Sequence, residues 1–362
     1  MYKTLVVATS RRTRGGITSV VKAHEQGKQW TDYNCKWIET HRDGSKARKF
    51  FYLVRALIQY TILLPFYDII HIHLTLGSSG KRKLPFIRLA KNFNKKVIVH
   101  FHPSTEKILF EQENNKLGKK IFEMADLVLV LSPQWKDWIN EAYPNNKFNM
   151  EVLYNPCPKV NRTNVERKKQ ILYAGTILKR KGYDILIQAF AKIAKNFPDW
   201  KIVFAGNPYY ENGVNEIEHG NSLAEKHDIT SQIEWLGWIS GERKEEVFNQ
   251  SSIYCLASDG EGFPMGVLDA WAYGIPCVMT PVGGIPDIVR DGIEGLMFPV
   301  GDVDTLSKKL EIMISNEELR INIVKATDVY VNQTFEMQEI NRQLGNIYST
   351  LSKSTQNKNN AN

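Results

Sequence analysis

The chain has 362 residues, 43% of them apolar and 24% charged, with a formal net charge of +8. That length is too great for one ordinary core and suits two domains, with the composition of a globular protein. The charge is uneven: residues 1–157 carry 25 Lys/Arg against 13 Asp/Glu, a net of +12, and the remainder a net of −4. The first half is therefore expected to meet something anionic, with nucleic acid and an acidic membrane surface both open.

Cys35, Cys157, Cys255 and Cys277 lie far apart without zinc-ligand or redox-motif spacing, and are expected to be reduced, mostly buried thiols. The apolar start Leu5 to Ala8 is cut short by Thr9-Ser10-Arg11-Arg12 and reads as a first strand rather than a secretory signal. No uninterrupted apolar run approaches the ~20 residues of a spanning helix; the nearest, 60–66, contains Pro65. The expected location is cytoplasmic, with a peripheral position on the inner face of the cytoplasmic membrane as a further option.

In chain order, strands are predicted at 4–8, 36–40, 69–73, 97–101, 127–131 and 151–154, with amphipathic stretches near 17–27, 47–64, 83–93, 106–123 and 134–143. Ser132-Pro133 supplies an N-cap followed by proline for the last of these. The polar stretch 156–170 then breaks the pattern as a linker. Strands resume at 171–174, 201–205, 232–236, 252–256, 276–279 and 296–298, with helices near 182–195, 214–227, 241–250, 265–273 and 303–315. Strand–helix alternation implies parallel sheets covered on both faces, and two runs of it imply an α/β protein of two doubly wound domains, 1–157 and 158–334. A further helix at 335–352 could pack back on the first domain, and 355–362 reads as a disordered tail.

The most informative segment runs from Ser258 to Gly274, after the strand at 252–256. Gly260 and Gly262 allow a tight turn, and Pro264 suits a first helical turn. Gly262, Phe263, Pro264, Met265, Gly266 and Val267 are the donor-binding candidates, around a helix N-terminus whose free amides receive an anion. Glu261 sits in the loop, and Asp269 less than two turns into the helix, each able to reach sugar hydroxyls. Without a ligand, the same glycines make an ordinary strand–helix turn.

Glu261 and Asp269 resemble the Glu-x7-Glu signature of retaining glycosyltransferases of family 4, and the text from Ala272 to Asp287 and from Gly292 to Pro299 is similar to that family's continuation. The resemblance implies the GT-B fold, two Rossmann-like domains facing across a cleft. Asp269 is one methylene shorter than the family's second Glu. A second family motif falls at 173–182: Gly175 and Lys181 match, whereas Thr176 stands where the family has an Arg on the donor diphosphate, and Arg180 is the candidate substitute. By the same resemblance Gly206 and Trp238 border the nucleotide base. In the first half, Gly15 and Gly16 follow the first strand and match the family's glycine turn, and His102 matches its active-site histidine.

The implied reaction is sugar transfer from a nucleoside-diphosphate sugar with retention, by front-face attack, with no cofactor and no metal. His71, His73, His100 and His102 could suggest a metal site, because residues two apart share a strand face. No carboxylate or Cys accompanies them, so packed imidazoles are the reading kept. The acceptor expected is a glycan or a lipid-linked oligosaccharide. The basic, aromatic stretch 46–60 is either an interfacial helix on anionic lipid or an ordinary core helix. Alternatives are an epimerase or phosphorylase on a similar scaffold, or a non-catalytic protein binding an anionic membrane or nucleic acid; no nucleic-acid motif supports the last, so no nucleic acid is expected as a partner.

Overall fold

The computed structural model describes residues 2–211 and 214–359. The chain divides into two compact units, Met1–Pro156 with Phe335–Asn362, and Cys157–Thr334. The first runs β1 (Thr4–Ala8), α1 (Gly16–Glu25), α2 (Lys28–Asp32), β2 (Lys36–Glu39), α3 (Lys46–Leu63), β3 (Ile69–Leu74), α4 (Ser78–Asn92), β4 (Lys96–Phe101), α5 (Lys107–Phe110), α6 (Gln112–Met124), β5 (Leu127–Val130), α7 (Pro133–Ala142) and β6 (Met150–Val152). Its six strands form one parallel sheet in the order β2-β1-β3-β4-β5-β6. Every residue of β1, β3 and β5 is buried, as befits a sheet covered on both faces.

The second unit runs β7 (Lys168–Ala174), α8 (Tyr183–Ala191), β8 (Lys201–Ala205), a short antiparallel pair β9 (Tyr210–Glu211) and β10 (Val214–Asn215), α9 (Glu216–Lys226), β11 (Ile233–Gly237), α10 (Glu242–Gln250), β12 (Ser251–Leu256), α11 (Met265–Ala272), β13 (Cys277–Met279), β14 (Leu296–Met297), α12 (Val303–Ser315) and α13 (Glu317–Thr334). Its parallel sheet has the order β11-β8-β7-β12-β13-β14. The order reverses between β7 and β12. A doubly wound sheet opens a crevice at that point, beyond the carboxyl ends of the strands. In the first unit the corresponding reversal lies between β1 and β3.

The last helix, α14 (Met337–Asn359), belongs to the first unit. Ile340, Leu344, Tyr348 and Leu351 pack on Ile69, Ile98, Leu127 and Leu129 of its sheet.

Some elements differ from the sequence reading. Helix α14 continues to Asn359 through residues expected to be a disordered tail, in unbroken extension of a helix anchored by Tyr348 and Leu351; residues 360–362 lie outside the described residues. Helix α2 and helix α13 were not anticipated; α13 buries only Ile323 and Thr327, which leaves little one-sided pattern to read. The segment 156–167 has no regular structure, yet it is fastened to the second unit. Arg162 donates to the Trp271 carbonyl and pairs bidentately with Asp328, and Arg167 donates to the carbonyls of Ser251, Tyr273 and Gly274. By length and composition, the helix Lys46–Phe66 is apolar enough to cross a membrane, contrary to the count of uninterrupted apolar residues; cations interrupt the run without cancelling its mean hydropathy of 1.2.

Candidate functional site

Two loops flank the reversal point of the second sheet. The first leaves β7 and turns at Gly175, whose φ of 159° is extended; the Tyr173 hydroxyl donates to the Thr176 carbonyl at 2.8 Å and pins the turn. Gly206, at the end of β8, packs against this turn so closely that a Cβ would lie 1.7 Å from the Gly175 carbonyl oxygen. The loop ends at Gly182, a left-handed residue with φ 68°, where a Cβ would meet the Ala257 carbonyl at 2.0 Å. Only glycine meets both demands, and the result is that the loops after β7 and β12 touch along their backbones.

The second loop, 257–264, presents Glu261. Its Oε1 accepts from Ser258 Oγ at 2.7 Å and from Lys181 Nζ at 2.5 Å, so two residues 80 apart in sequence form one charge-assisted pair. The carboxylate is largely buried and the ammonium half-buried. Arg180 donates from one guanidinium nitrogen to the Gly260 carbonyl, and its own carbonyl accepts from the Asp259 amide at 2.9 Å. The Gly283–Gly284 turn supports the loop from behind: the Gly284 amide donates to the Gly262 carbonyl at 3.2 Å. Residues 180–181 and 283–284, distant in sequence, thus hold the loop that carries Glu261.

Helix α11 begins where expected, at Met265, with Pro264 as its N-cap. Fewer amides point outward than the sequence implied. Pro264 has none, Met265 donates to the Phe263 carbonyl, and Val267 and Leu268 both donate to the Pro264 carbonyl. The cause is Pro264 itself, whose carbonyl closes the first turn. Gly266 faces Tyr254, whose hydroxyl would lie 2.1 Å from an added Cβ.

Asp269 is engaged elsewhere. Its Oδ1 accepts from Lys244 Nζ of α10 at 2.8 Å. Burial raises the Asp269 pKa, and the Lys244 ammonium offsets part of that. Thr176 is exposed and carries no charge toward the loop. Trp238 is also exposed, and its amide donates to Asn207 Oδ1 at 3.1 Å. Ser258, Lys244 and Tyr254 were missed by sequence reading. Only Ser258 left a local signal, a hydroxyl three residues before the acid it holds.

A cavity of about 810 Å³ lies at the opposite, amino-terminal edge of this unit's sheet. Its arginines are already spent: Arg162 and Arg167 fasten the entering segment, and Arg320 donates to the carbonyls of Met313 and Ile314. It offers structural clamps rather than free donors.

In the first unit, Gly15 caps α1 with φ 132°, and Gly16 opens the helix; both are exposed at the carboxyl end of β1. The strand-end histidines form a stack. His73 and His102 share a hydrogen bond of 2.9 Å, His71 and His100 one of 3.3 Å, and His71 Nδ1 meets the Tyr348 hydroxyl at 2.7 Å. His24 joins from α1 and bonds to Asn341 at 2.9 Å. Burial, then the neighbouring rings, keeps His71, His73 and His100 neutral, and burial pushes His24 down to about 4 and His102 to about 3. Ring nitrogens of His71, His73 and His100 lie within 4.8 Å of one another, close enough to consider a metal ion. The surroundings argue against that fit: no carboxylate joins them, two of the rings are bonded to each other, and the buried Lys83 donates to the His73 carbonyl. A divalent cation there would face an amine instead of an anion.

Residues 159–328 match the profile of the family described as glycosyl transferases group 1. An uncharacterised glycosyltransferase of Haemophilus influenzae is 28% identical over 57% of this chain and 57% of its own length. Across three such relatives the aligned part spans 57%, 20% and 60% of the relative's length. Among solved structures, sucrose-phosphate synthase from Thermosynechococcus elongatus superposes with a TM-score of 0.79 at 17% identity, covering 98% of this chain and all of that one. HepE of Anabaena, solved with UDP and glucose, gives 0.77 at 15% identity over 96% and 100%. Residues 159–328 are thus similar to the glycosyl transferases group 1 family, and the architecture of the chain is the α/β GT-B fold.

Proposed function

We propose that this protein is a retaining, metal-independent glycosyltransferase that moves a sugar from a nucleoside-diphosphate sugar to a glycan or lipid-linked oligosaccharide in cell-surface polysaccharide synthesis. The observation that carries the reading is the Lys181–Glu261 pair, set by two loops at the reversal point of the group 1 unit. The HepE complex, whose fold this chain resembles, supports a nucleotide-sugar ligand.

A donor diphosphate brings more negative charge than one carboxylate, so Lys181 exchanges Glu261 for phosphate oxygens. The positive end of α11, with Gly262 to Val267 around it, adds to the field that stabilises the departing diphosphate. Glu261, still held by Ser258, then accepts from hydroxyls of the donor sugar. Arg180 keeps further N–H donors beyond the one on Gly260, and with them it replaces the cation missing at Thr176. Gly175 leaves room for the phosphates, Gly206 and Trp238 border the base, and Asp269 with Lys244 takes the ribose. In the first unit, His102, Gly15 and Gly16 keep the roles that the family resemblance implies for them. The acceptor oxygen attacks on the face the diphosphate leaves, and the leaving phosphate takes its proton. A cytoplasmic location goes with this reading.

Thermal unfolding with UDP, GDP and other nucleoside diphosphates is the direct test. A ligand at 100 times its Kd stabilises the fold by about 2.7 kcal/mol, which raises Tm by several degrees. The reading fails if no nucleoside diphosphate or its sugar raises Tm.

A further inference from the structure

Helix α3 and the turn after it, Lys46–Phe66, have two unlike sides. Ala56, Tyr60 and Leu64 are sunk in the first unit; the Tyr60 hydroxyl donates to the Phe86 carbonyl at 2.9 Å, and the two rings meet edge-on at 5.0 Å. The other side repeats an apolar residue every four positions: Phe50, Val54, Ile58, Ile62 and Phe66. Phe50, Phe51, Ile58, Ile62 and Phe66 keep 59–68% of their surface exposed. Only 17% of the most apolar window of this helix is buried. Scattered exposed apolar side chains need no explanation, but a continuous stripe of this length does.

Charge selects what covers it. From Gly44 to Tyr67 the chain has no acidic residue, while Lys46, Arg48, Lys49 and Arg55 are all exposed. None of the four forms an ion pair among the described residues. Three of them crowd the helix N-terminus, where the macrodipole disfavours cations, so nothing within the fold rewards their position. A second copy of the chain would set the same cations against one another. Because Tyr60 and its neighbours are fixed in the core, the helix cannot leave the unit to span a bilayer.

We propose that the exposed face of α3 docks on an anionic lipid bilayer, lying in the plane of the interface. Phe50, Phe51, Ile58, Ile62 and Phe66 enter below the headgroups, and the four cations sit among them. This inference does not depend on the transfer reaction, and it is tested with neither donor nor acceptor present.

The experiment is co-sedimentation of the whole chain with vesicles of phosphatidylglycerol and phosphatidylcholine in equal parts, and with phosphatidylcholine alone, at ~0.15 M salt. The mixed vesicles are expected to bind at least about tenfold more protein, and both I58E/I62E and K46E/K49E to lower that binding at least about tenfold. Phe51→Trp supplies a second readout: against the parent chain with its eight tryptophans, the added emission shifts to the blue and is quenched by brominated lipid in the mixed vesicles only. Equal partition onto both vesicles, undiminished binding by folded variants, or an unquenched Trp overturns the proposal. So does a dimer on size exclusion that I58E/I62E converts to monomer, which would assign the face to a second copy.

Discussion

At the carboxyl ends of its strands, the second unit sets charge against charge, and the first sets neutral rings against one another. Lys181 is partly open to water, whereas Glu261 is largely buried and held by both Lys181 and Ser258. On the proposed reading a more highly charged ligand draws Lys181 away, because the ammonium, unlike the carboxylate, reaches solvent. Of the clustered histidines of the first unit, His24, His71, His73 and His100 are buried and His102 is half-buried; His71 bonds to His100, His73 to His102 and His24 to Asn341, and burial disfavours their protonation. Similar sheets thus carry opposite electrostatic designs: one end sets an ammonium against a carboxylate, the other holds hydrogen-bonded imidazoles.

The largest expected effect breaks that contrast on the charged side. Lys181→Ala and Glu261→Ala are each expected to lower kcat for nucleoside-diphosphate release by about 10²–10³, with the far-ultraviolet dichroism unchanged. If both variants keep full turnover, the catalytic pair lies elsewhere.

Acid should strain the neutral side. The folded pKa values of the clustered histidines lie below the ordinary ~6.5 of an unfolded chain, so the unfolded state binds protons that the fold refuses. Stability is complete above about pH 7 for these groups and falls as pH drops through 6.5 toward 4. Between pH 7.5 and 5.5 the loss is of order 1 kcal/mol for each histidine. Urea unfolding at the two pH values measures it. An unchanged midpoint would mean the rings are protonated in the fold.

Gly206→Ala sharpens the geometry of the charged side, since its Cβ falls 1.7 Å from the Gly175 carbonyl oxygen. We expect a loss of about 3 kcal/mol and a Tm lower by about 10 °C, read by calorimetry. A well-tolerated alanine would show that the turns after β7 and β8 are not in contact. The smallest effect is reserved for Thr176→Arg. The site is exposed, so stability should stay within about 0.5 kcal/mol. If Arg180 only partly replaces the missing cation, KM for the donor falls a few-fold. A KM that rises instead would mean that Arg180 already fills the place.

Much of the second unit was legible in the chain. The loop 258–264 carries its glycines, its acid and its proline in sequence, and the alternation of apolar runs with helix-length segments marks nearly every strand. Helix α13 escaped because its burial is slight, and the outward amides of α11 were over-counted because the role of the Pro264 carbonyl in closing the turn is a matter of backbone angles. Asp269 was assigned by its spacing from Glu261, but spacing does not reveal that Lys244, on another helix, holds it.

Periodicity and local turn chemistry are encoded within a few residues of each other, and so the sequence by itself determined the strand–helix order, the glycine turns and the uneven charge. Pairings between distant segments are settled only by how the sheets wind. Tertiary structure therefore decided that Lys181 meets Glu261, that Asn341 and Tyr348 close over histidines some 240 or more residues earlier, and that one flank of α3 remains uncovered. The physical reason is that burial and charge compensation depend on three-dimensional neighbours, which periodicity along the chain does not name.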